Sequence, residues 1–389
     1  MKKLLVPILM CIFFLDVNAQ GEPIPNPNDS RVITTGVPFL LIASDARAAG
    51  MGDMGVATSV DAFSQQWNPA KYAFSEARQG VGVTYTPYLS NLVNDIFLGN
   101  VTYFNRLNER SAFAASFRYF SLGEIDLISD PSQINNPLVA RPNELTFDVS
   151  YALRLSERFS MSVSGRYLRS DLKLQIDAED ATAGSSFAVD IAGYYQSEEI
   201  PYDNFDGRWR AGFNISNVGP AIKYDETGQE NFLPTNLAIG GGFDFILDMY
   251  NKVGVTAEFN KLLVPTPPLR DIDGNIIAGQ DNNVGFFQGM FQSFGDAPGG
   301  FSEELKEFTW ALGVEYMYDN VFALRAGYFN ESEEKGARKF MSLGAGFRYT
   351  SINIDMSYLF STSNVRSPLE GTLRFGLTFN IGDNYYVEY

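Results

Sequence analysis

The sequence predicts an all-β protein, an outer-membrane antiparallel β-barrel of about 14 strands with an N-terminal hatch or plug segment. Three observations lead to this prediction. Apolar and polar residues alternate with period two over segments of about ten residues, the length of a tilted membrane-spanning strand. These segments are even in number, as bacterial outer-membrane barrels require. The connections between them are alternately short and long, which a soluble β-sandwich has no reason to show.

The alternation is clearest close to the C-terminus. The apolar positions there are Leu373, Phe375, Leu377, Phe379 and Ile381. The residues between them are polar or small, so one set would face lipid and the other a polar lumen. The same pattern recurs near the middle of the chain, at Leu145, Phe147, Val149, Tyr151 and Leu153. The predicted strands span 78–87, 95–106, 111–122, 144–155, 158–171, 185–197, 207–217, 235–245, 251–262, 307–318, 320–331, 338–350, 351–361 and 369–381.

Composition excludes several classes of protein. The chain has 389 residues, no histidine and a formal net charge of −17. Without histidine, Ser-His-Asp and Cys-His catalysis and His-ligated zinc are impossible, and we expect no enzyme, metal site or cofactor. The acidic balance argues against a nucleic-acid partner. Beyond the N-terminus the longest apolar run, Phe39 to Ala43, is far shorter than the ~20 residues of a spanning helix.

Residues 1–19 predict a secretory signal peptide. Lys2 and Lys3 form its positive region, and Leu4 to Leu15 form its apolar region ahead of a small-residue cleavage site. The only cysteine, Cys11, lies within it, so the mature chain is expected to contain no thiol. The protein is therefore expected to be exported.

The rest of the chain divides into three predicted parts. Residues 20–38 predict an extended N-terminal segment, because prolines recur at its start. Residues 39–77 are apolar and rich in small residues without sustained alternation. We expect them to form a hatch that plugs the lumen or covers its periplasmic mouth. Residues 78–389 form the predicted transmembrane barrel with its long extracellular loops.

Loop lengths predict the orientation of the barrel. If both termini face the periplasm, the even-numbered connections are nearly all tight. The odd-numbered connections include the long ones, near 122–143, 172–184, 218–234 and 263–306. Short periplasmic turns and long extracellular loops are typical of outer-membrane barrels. We therefore expect a multi-pass barrel in the cell outer membrane with periplasmic termini.

Two segments carry a resemblance to a known family. The hatch segment resembles that of FadL-type barrels through Asp45, Arg47, Gly50, Gly52, Asn68 and Pro69. A more specific run, Lys-Leu-Leu-Val-Pro-Thr-Pro-Pro, lies within Asn260 to Pro268. Across essentially the mature chain, the sequence is similar to the PorV (LptO-like) outer-membrane proteins of the type IX secretion system, a family of FadL-like barrels.

The resemblance implies an adaptor in protein secretion. Such a barrel would dock on the translocon barrel SprA, also called Sov, and receive cargo that bears a C-terminal signal domain. It would pass this cargo to a surface attachment complex that includes the protease PorU, and it would contact outer-membrane lipid or lipopolysaccharide. The alternative is a FadL-type transporter of hydrophobic small molecules, which would need an apolar lumen pocket and a hatch or wall that opens.

The hatch residues also have a physical interpretation. Gly50 and Gly52 permit positive φ angles and close backbone approach, as a compact plug requires. Asp45 and Arg47 would form either a buried pair that fixes the hatch to the wall or a solvated pair. The Asn-Pro pair at 68–69 is expected to begin a short turn that leads into the first strand.

The connection near 263–306 contains a candidate partner-binding surface. Its apolar residues recur at a spacing that places them on one face of a helix. They are Phe286, Phe287, Met290, Phe291 and Phe294. An exposed face of this kind usually marks an interaction site, and we expect it to contact the translocon or the cargo signal domain. The alternative is that this face packs on the rim of the barrel itself.

Overall fold

The computed structural model describes residues 31–90, 92–128, 137–172, 183–224, 230–363 and 367–382. The predicted signal peptide and the larger part of the predicted extended segment lie outside these residues. Fourteen of the described strands form the barrel wall. In chain order they are β1 (Gln79–Pro87), β2 (Ile96–Arg106), β3 (Ser111–Leu122), β4 (Asn143–Arg154), β5 (Phe159–Asp171), β6 (Gly184–Gln196), β7 (Asp206–Val218), β8 (Asn236–Ile246), β9 (Asn251–Leu262), β10 (Phe308–Tyr318), β11 (Phe322–Asn330), β12 (Lys339–Tyr349), β13 (Ile352–Ser361) and β14 (Leu373–Ile381).

The barrel closes through its first and last strands. Each strand pairs in antiparallel fashion with its neighbours along the chain, and β1 also pairs with β14, with Tyr85 opposite Phe375. This order confirms the predicted antiparallel barrel of about 14 strands. The largest error in strand bounds is at β14, which begins at Leu373 rather than at residue 369. The residues before it form turns, in which the Thr372 amide donates to the carbonyl of Leu369.

The alternation along each strand separates two environments. In β4 the side chains of Phe147, Val149 and Tyr151 are exposed on the outer surface, whereas Thr146 and Asp148 are buried inside. Successive side chains of a strand point to opposite faces. The period-two pattern of the sequence therefore becomes an apolar outer wall and a polar inner wall.

The two ends of the barrel differ in their connections. At the end that we call the turn end, β2–β3, β4–β5, β10–β11 and β12–β13 are joined by tight turns. A longer turn-end connection adds a short strand, Ile200–Pro201, beside β7. The opposite end, the loop end, carries the long connections. Two of these contain short hairpins, Ile125–Leu127 with Leu138–Ala140 and Leu269–Arg270 with Ile276–Ala278.

Most of the N-terminal segment, residues 31–78, lies inside the barrel. It contains the 3-10 helices Pro38–Leu41 and Pro69–Phe74 and the α-helices α1 (Ala46–Ala49) and α2 (Ser64–Trp67). Its apolar side chains are buried against the inner wall, and its backbone and side chains bond to inward-facing residues of the strands. In the described part of the chain, no helix has the length and apolarity needed to cross a membrane.

This segment runs from the loop end to the turn end. At the loop end, the Arg31 amide donates to the carbonyl of Glu334 in the β11–β12 connection. At the turn end, Nη1 of Arg106 donates to the carbonyl of Ser75 at 2.7 Å. The described chain therefore begins among the long connections, whereas its last strand ends at Ile381 on the turn end. The two ends of the described chain lie at opposite ends of the barrel, which differs from the expected arrangement with both ends on one side.

The β9–β10 connection extends over the loop end. It contains two short helices, α3 (Phe286–Gln292) and α4 (Phe301–Lys306). Gly289 of α3 lies against Pro265 and Phe232, where an added Cβ would be 2.9 Å from Cγ of Pro265. The small residue lets the helix pack closely on the proline-rich start of the connection.

Candidate functional site

Asp45 organises the first helix of the N-terminal segment. Its Oδ1 accepts from the amide of Ala48 at 2.7 Å, which caps α1, and its Oδ2 accepts from Nε1 of Trp67 at 2.6 Å. Asp45 therefore holds two parts of the segment together. Asp45 makes these two hydrogen bonds instead of the expected ion pair with Arg47.

Arg47 connects the segment to the barrel wall. Its guanidinium donates to both carboxylate oxygens of Glu315 in β10, at 3.0 and 2.9 Å, and to Asp61 at 2.7 Å. Glu315 also accepts from Arg325 of β11 at 2.6 Å, and Arg325 donates to Asp355 of β13 at 2.6 Å. Opposite charges alternate along this network, so each buried charge is compensated. Sequence reasoning missed Glu315, although inward-facing charges in the strands were a usable signal.

Glycines on both sides allow the segment and the wall to touch backbone to backbone. A Cβ on Gly50 would lie 2.9 Å from the Cα of Gly344 in β12. Gly52 has a φ of 84°, and its amide donates to Oγ of Ser342 at 2.9 Å. A Cβ on Gly327 of β11 would lie 2.1 Å from the amide nitrogen of Gly52. A side chain at these positions would force the two backbones apart.

The Asn-Pro pair marks the last turn of the segment. Oδ1 of Asn68 accepts from the amide of Ala70 at 3.1 Å, and Pro69 is the first residue of the 3-10 helix that follows. Nδ2 of Asn68 donates to the carbonyls of Val56 and Gly193, at 2.8 and 3.0 Å. Asn68 therefore ties the segment to β6 as well as capping its own helix.

A cavity of about 740 Å³ lies between the N-terminal segment and the loop end. Phe39, Leu40 and Phe120 form part of its apolar lining. Arg118 and Glu144 are among its charged lining residues, and both are buried. The lumen therefore retains a partly open space of mixed polarity on the loop-end side of the segment.

The β9–β10 connection places the predicted apolar face on helix α3. Phe287, Phe291 and Phe294 are 60%, 78% and 50% exposed, and Phe286 and Met290 are half-buried. Phe287 and Phe291 lie on the side of α3 opposite Gly289, which faces Pro265, and Phe294 follows the end of the helix. An apolar surface of this kind is rare on a protein unless something covers it.

Helix α4 adds apolar side chains that sequence reasoning missed. Phe301 is 77% exposed and Leu305 is 55% exposed. Their i, i+4 spacing was the available signal. The two helices are neighbours, because Nζ of Lys261 lies 5.8 Å from the ring of Phe294 and 3.2 Å from the carboxylate of Glu304. We call Phe287, Phe291, Phe294, Phe301 and Leu305 the aromatic surface.

The aromatic surface overlies the outer side of the barrel rim. Lys261 belongs to the outward-facing row of β9, two residues after the exposed Phe259, and it pairs with the outward-facing Phe308 of β10. The connection covers Lys261 with Glu304 and Glu307, whose carboxylate lies 2.6 Å from Nζ. The surface therefore borders the lipid-facing wall rather than the mouth of the lumen.

These features define the class of protein, an outer-membrane β-barrel with a FadL-like fold and an N-terminal segment inside its lumen. A TodX ΔS2S3 mutant monoaromatic hydrocarbon channel has a similar fold, with a TM-score of 0.52 and 11% identity over 86% of this chain and 98% of that chain. The Pseudomonas putida toluene transporter TodX gives 0.47 at 12% identity, covering 90% and 98%. A Pseudomonas aeruginosa FadL homologue gives 0.44 at 12%, covering 91% and 100%.

The sequence then identifies the family within this class. The model of the family described as type IX secretion system protein PorV matches residues 25–269, more than half of the chain. The chain belongs to the PorV family, as the resemblance predicted. No curated protein matches the chain. Family and fold together indicate a component of type IX secretion in the outer membrane.

Proposed function

We propose that this protein is an outer-membrane adaptor of the type IX secretion system. It docks on the translocon barrel SprA/Sov, receives cargo through its C-terminal signal domain and passes the cargo to the attachment complex with PorU. The observation that carries the proposal is the aromatic surface, in which Phe291 is 78% exposed, more than Phe187 of the lipid-facing wall at 68%. Uncovered apolar side chains outside the lipid-facing wall are best explained by a protein partner.

The position of the aromatic surface favours the translocon as its partner. A second barrel in the same membrane would approach from the side, along the wall formed by β9 and β10. The aromatic surface borders that wall above Lys261 and Phe308. In this proposal the loop end faces outside the cell, where cargo emerges, and the turn end faces the periplasm.

A closed lumen is the second part of the proposal. The network from Arg47 to Asp355 and the glycine contacts of Gly50 and Gly52 support an N-terminal segment that acts as a fixed plug. We assign no catalytic role to the chain. Reconstituted protein should therefore give little ion conductance in planar bilayers. Stable, large single-channel conductance would refute the plug.

The docking role is tested by replacing both Phe287 and Phe291 by Ser. Buried anchors at the centre of an interface typically cost ~1–4 kcal/mol each when truncated. We expect the double variant to lose most co-purification with the translocon and most cargo secretion, while it remains heat-stable in detergent. The matched control is Leu92→Ser, because Leu92 is also 78% exposed and lies in the β1–β2 connection, which is also at the loop end.

Two results would contradict the docking role. The first is normal complex recovery and secretion by the double variant. The second is loss of barrel stability in that variant, which would mean that the aromatic face packs on the protein itself. An equal loss of association in the Leu92→Ser control would also remove the special role of the aromatic surface.

A second candidate function is transport of hydrophobic small molecules. It is supported by the cavity of about 740 Å³, whose apolar lining includes Phe39 and Phe120, and by a fold shared with a monoaromatic hydrocarbon channel. Purified protein in liposomes should then accelerate entry of a monoaromatic hydrocarbon. The charged lining residues Arg118 and Glu144 and the fixed plug make this candidate the weaker one.

A further inference from the structure

The first described residues of the chain join three long connections at the loop end. We call residues 31–36 the N-terminal arm. Nε and Nη2 of Arg31 donate to the two carboxylate oxygens of Glu303, both at 2.7 Å. The amide of Arg31 donates to the carbonyl of Glu334 at 3.2 Å, and the amide of Gly36 donates to the carbonyl of Phe232 at 2.8 Å. The arm thus contacts the β7–β8, β9–β10 and β11–β12 connections.

The arm meets helix α4 directly under the aromatic surface. Glu303 lies in the first turn of α4, between the exposed Phe301 and Leu305. Its carboxylate also accepts from Nζ of Lys335 at 2.6 Å and from the amide of Gly299 at 2.7 Å. Burial raises the pKa of Glu303, but the hydrogen bonds from Arg31 and Lys335 outweigh this effect and lower the pKa to about 2. The carboxylate therefore stays charged at physiological pH.

The two helices that carry the aromatic surface are too short to hold their own positions. Helix α3 has 7 residues and α4 has 6. Helices of this length are marginal in water and depend on tertiary contacts. Bidentate pairs between an arginine and a carboxylate are among the strongest and most directional of such contacts.

We propose that the N-terminal arm holds the aromatic surface in its docking position, with Arg31 as the positioning residue and Glu303 as its anchor on α4. This inference rests on the proposed docking function and adds the device that orients the surface. The N-terminal segment then has two roles in one chain. Its middle fills the lumen, and its start fixes the connection that carries the aromatic surface at the barrel rim.

The first experiment measures local mobility in the purified barrel. A nitroxide label at Gln288→Cys reports on α3, and one at Leu92→Cys reports on a connection that the arm does not organise. Arg31→Gln should increase the mobility of the label at 288 and leave the label at 92 unchanged. Because Lys335 still neutralises Glu303, this variant detaches α4 from the arm without leaving an unpaired buried carboxylate. Arg31→Lys, which keeps the charge, should restore most of the rigidity.

Lys306→Gln is the matched control. It removes the Nζ of Lys306, which lies 2.6 Å from the carboxylate of Glu334 and links the β9–β10 connection to the β11–β12 connection. The contact between Arg31 and Glu303 remains in this variant. Its effect on the label at 288 should be small. Unchanged mobility in Arg31→Gln would overturn the inference, and so would an equal loosening by Lys306→Gln.

The second experiment measures association with the translocon. Arg31→Gln should weaken it about fivefold to tenfold without changing the heat stability of the barrel. If the Phe287→Ser, Phe291→Ser double variant abolishes association but Arg31→Gln loosens nothing, the positioning inference fails and the docking function stands. If Arg31→Gln loosens α3 but neither variant weakens association, the arm orients a surface that is not the docking site, and the docking function fails.

Discussion

The N-terminal segment and the β9–β10 connection are both irregular and both contain buried ion pairs. They differ in the exposure of their apolar side chains. Met51 and Met54 of the segment are 2% and 0% exposed, whereas Phe287 and Phe291 of the connection are 60% and 78% exposed. The segment is surrounded on all sides by the polar inner wall. The connection packs on the barrel rim with one side only. Its ion pairs can therefore fix its position while the apolar side chains on its other side stay exposed.

The charges of the two regions show the same contrast. Arg47 is buried between Asp61 and Glu315, and removing it would take away the ion pair of Asp61 inside the barrel and leave Glu315 with Arg325 alone. Arg31 shares Glu303 with Lys335, so the carboxylate keeps a partner when the arm is released. Ion pairs in the lumen are therefore expected to determine the stability of the barrel. Those at the loop end are expected to determine the position of the aromatic surface. The predictions below test this difference.

The largest effect is expected for Arg47→Ala. Breaking a buried pair by removing one partner typically costs about 3–5 kcal/mol, and here Asp61 would lose its ion pair while Glu315 would keep Arg325. Urea unfolding of the barrel in detergent micelles should show a large loss of stability. Arg158→Ala, which breaks the solvent-exposed pair with Glu198, is the control and should have no measurable effect. Equal stability of both variants would mean that the segment is not held by this network.

The next effect is expected for Gly327→Ala. The new Cβ would lie 2.1 Å from the amide nitrogen of Gly52, so the segment or β11 must move. Overpacking of this kind typically costs about 1–3 kcal/mol. Gly165→Ala is the control, because nothing lies within 4 Å of its added Cβ. Thermal melting of the two variants compares them directly, and a Gly327→Ala barrel as stable as Gly165→Ala would contradict the backbone contact.

A smaller, pH-dependent effect is expected at Asp296 in the β9–β10 connection. Burial raises its pKa to about 6, and the charges of Glu304 and Glu307 add to the rise. Since the folded pKa exceeds the unfolded one, the protonated form is favoured by folding, and stability is lost as pH rises from about 4 through 6. The connection should resist protease better near pH 5 than near pH 8.

Asp296→Asn tests this assignment. In the unchanged protein the backbone amide of Thr266 donates to the Asp296 carboxylate at 3.0 Å, and the side-chain oxygen of an asparagine can still accept this bond. The substitution removes the negative charge that faces Glu304 and Glu307. The variant should lose the pH dependence and gain about 1 kcal/mol of local stability near pH 8. A pH dependence that persists in the variant would assign it to another group.

The last prediction concerns the orientation of the barrel in the membrane, and its variants are expected to be as stable as the unchanged protein. The only cysteine, Cys11, lies in the predicted signal peptide, so one introduced cysteine would be the single thiol of the mature chain. Val32 at the loop end is 41% exposed, and Met249 at the turn end is 87% exposed. On intact cells a membrane-impermeant maleimide should label Val32→Cys and not Met249→Cys. The reverse pattern would invert the proposed orientation.

The sequence by itself determined the barrel wall and the part of the aromatic surface that lies on α3. Both depend on local periodicity. Alternation with period two specified all fourteen strands, and the spacing from Phe286 to Phe294 specified helix α3, which spans Phe286–Gln292. A residue's neighbours along the chain decide which way its side chain points in a strand or a helix, so these features need no knowledge of distant residues.

Only the tertiary structure decided which charges meet. Arg47 and Glu315 are separated by 268 positions, and Arg31 and Glu303 by 272. Their pairing depends on the closure of the barrel, which brings β10 around the N-terminal segment, and on the course of that segment from the loop end to the turn end. No local pattern encodes such a partner, because many carboxylates face inward and only the register of the closed wall selects one of them.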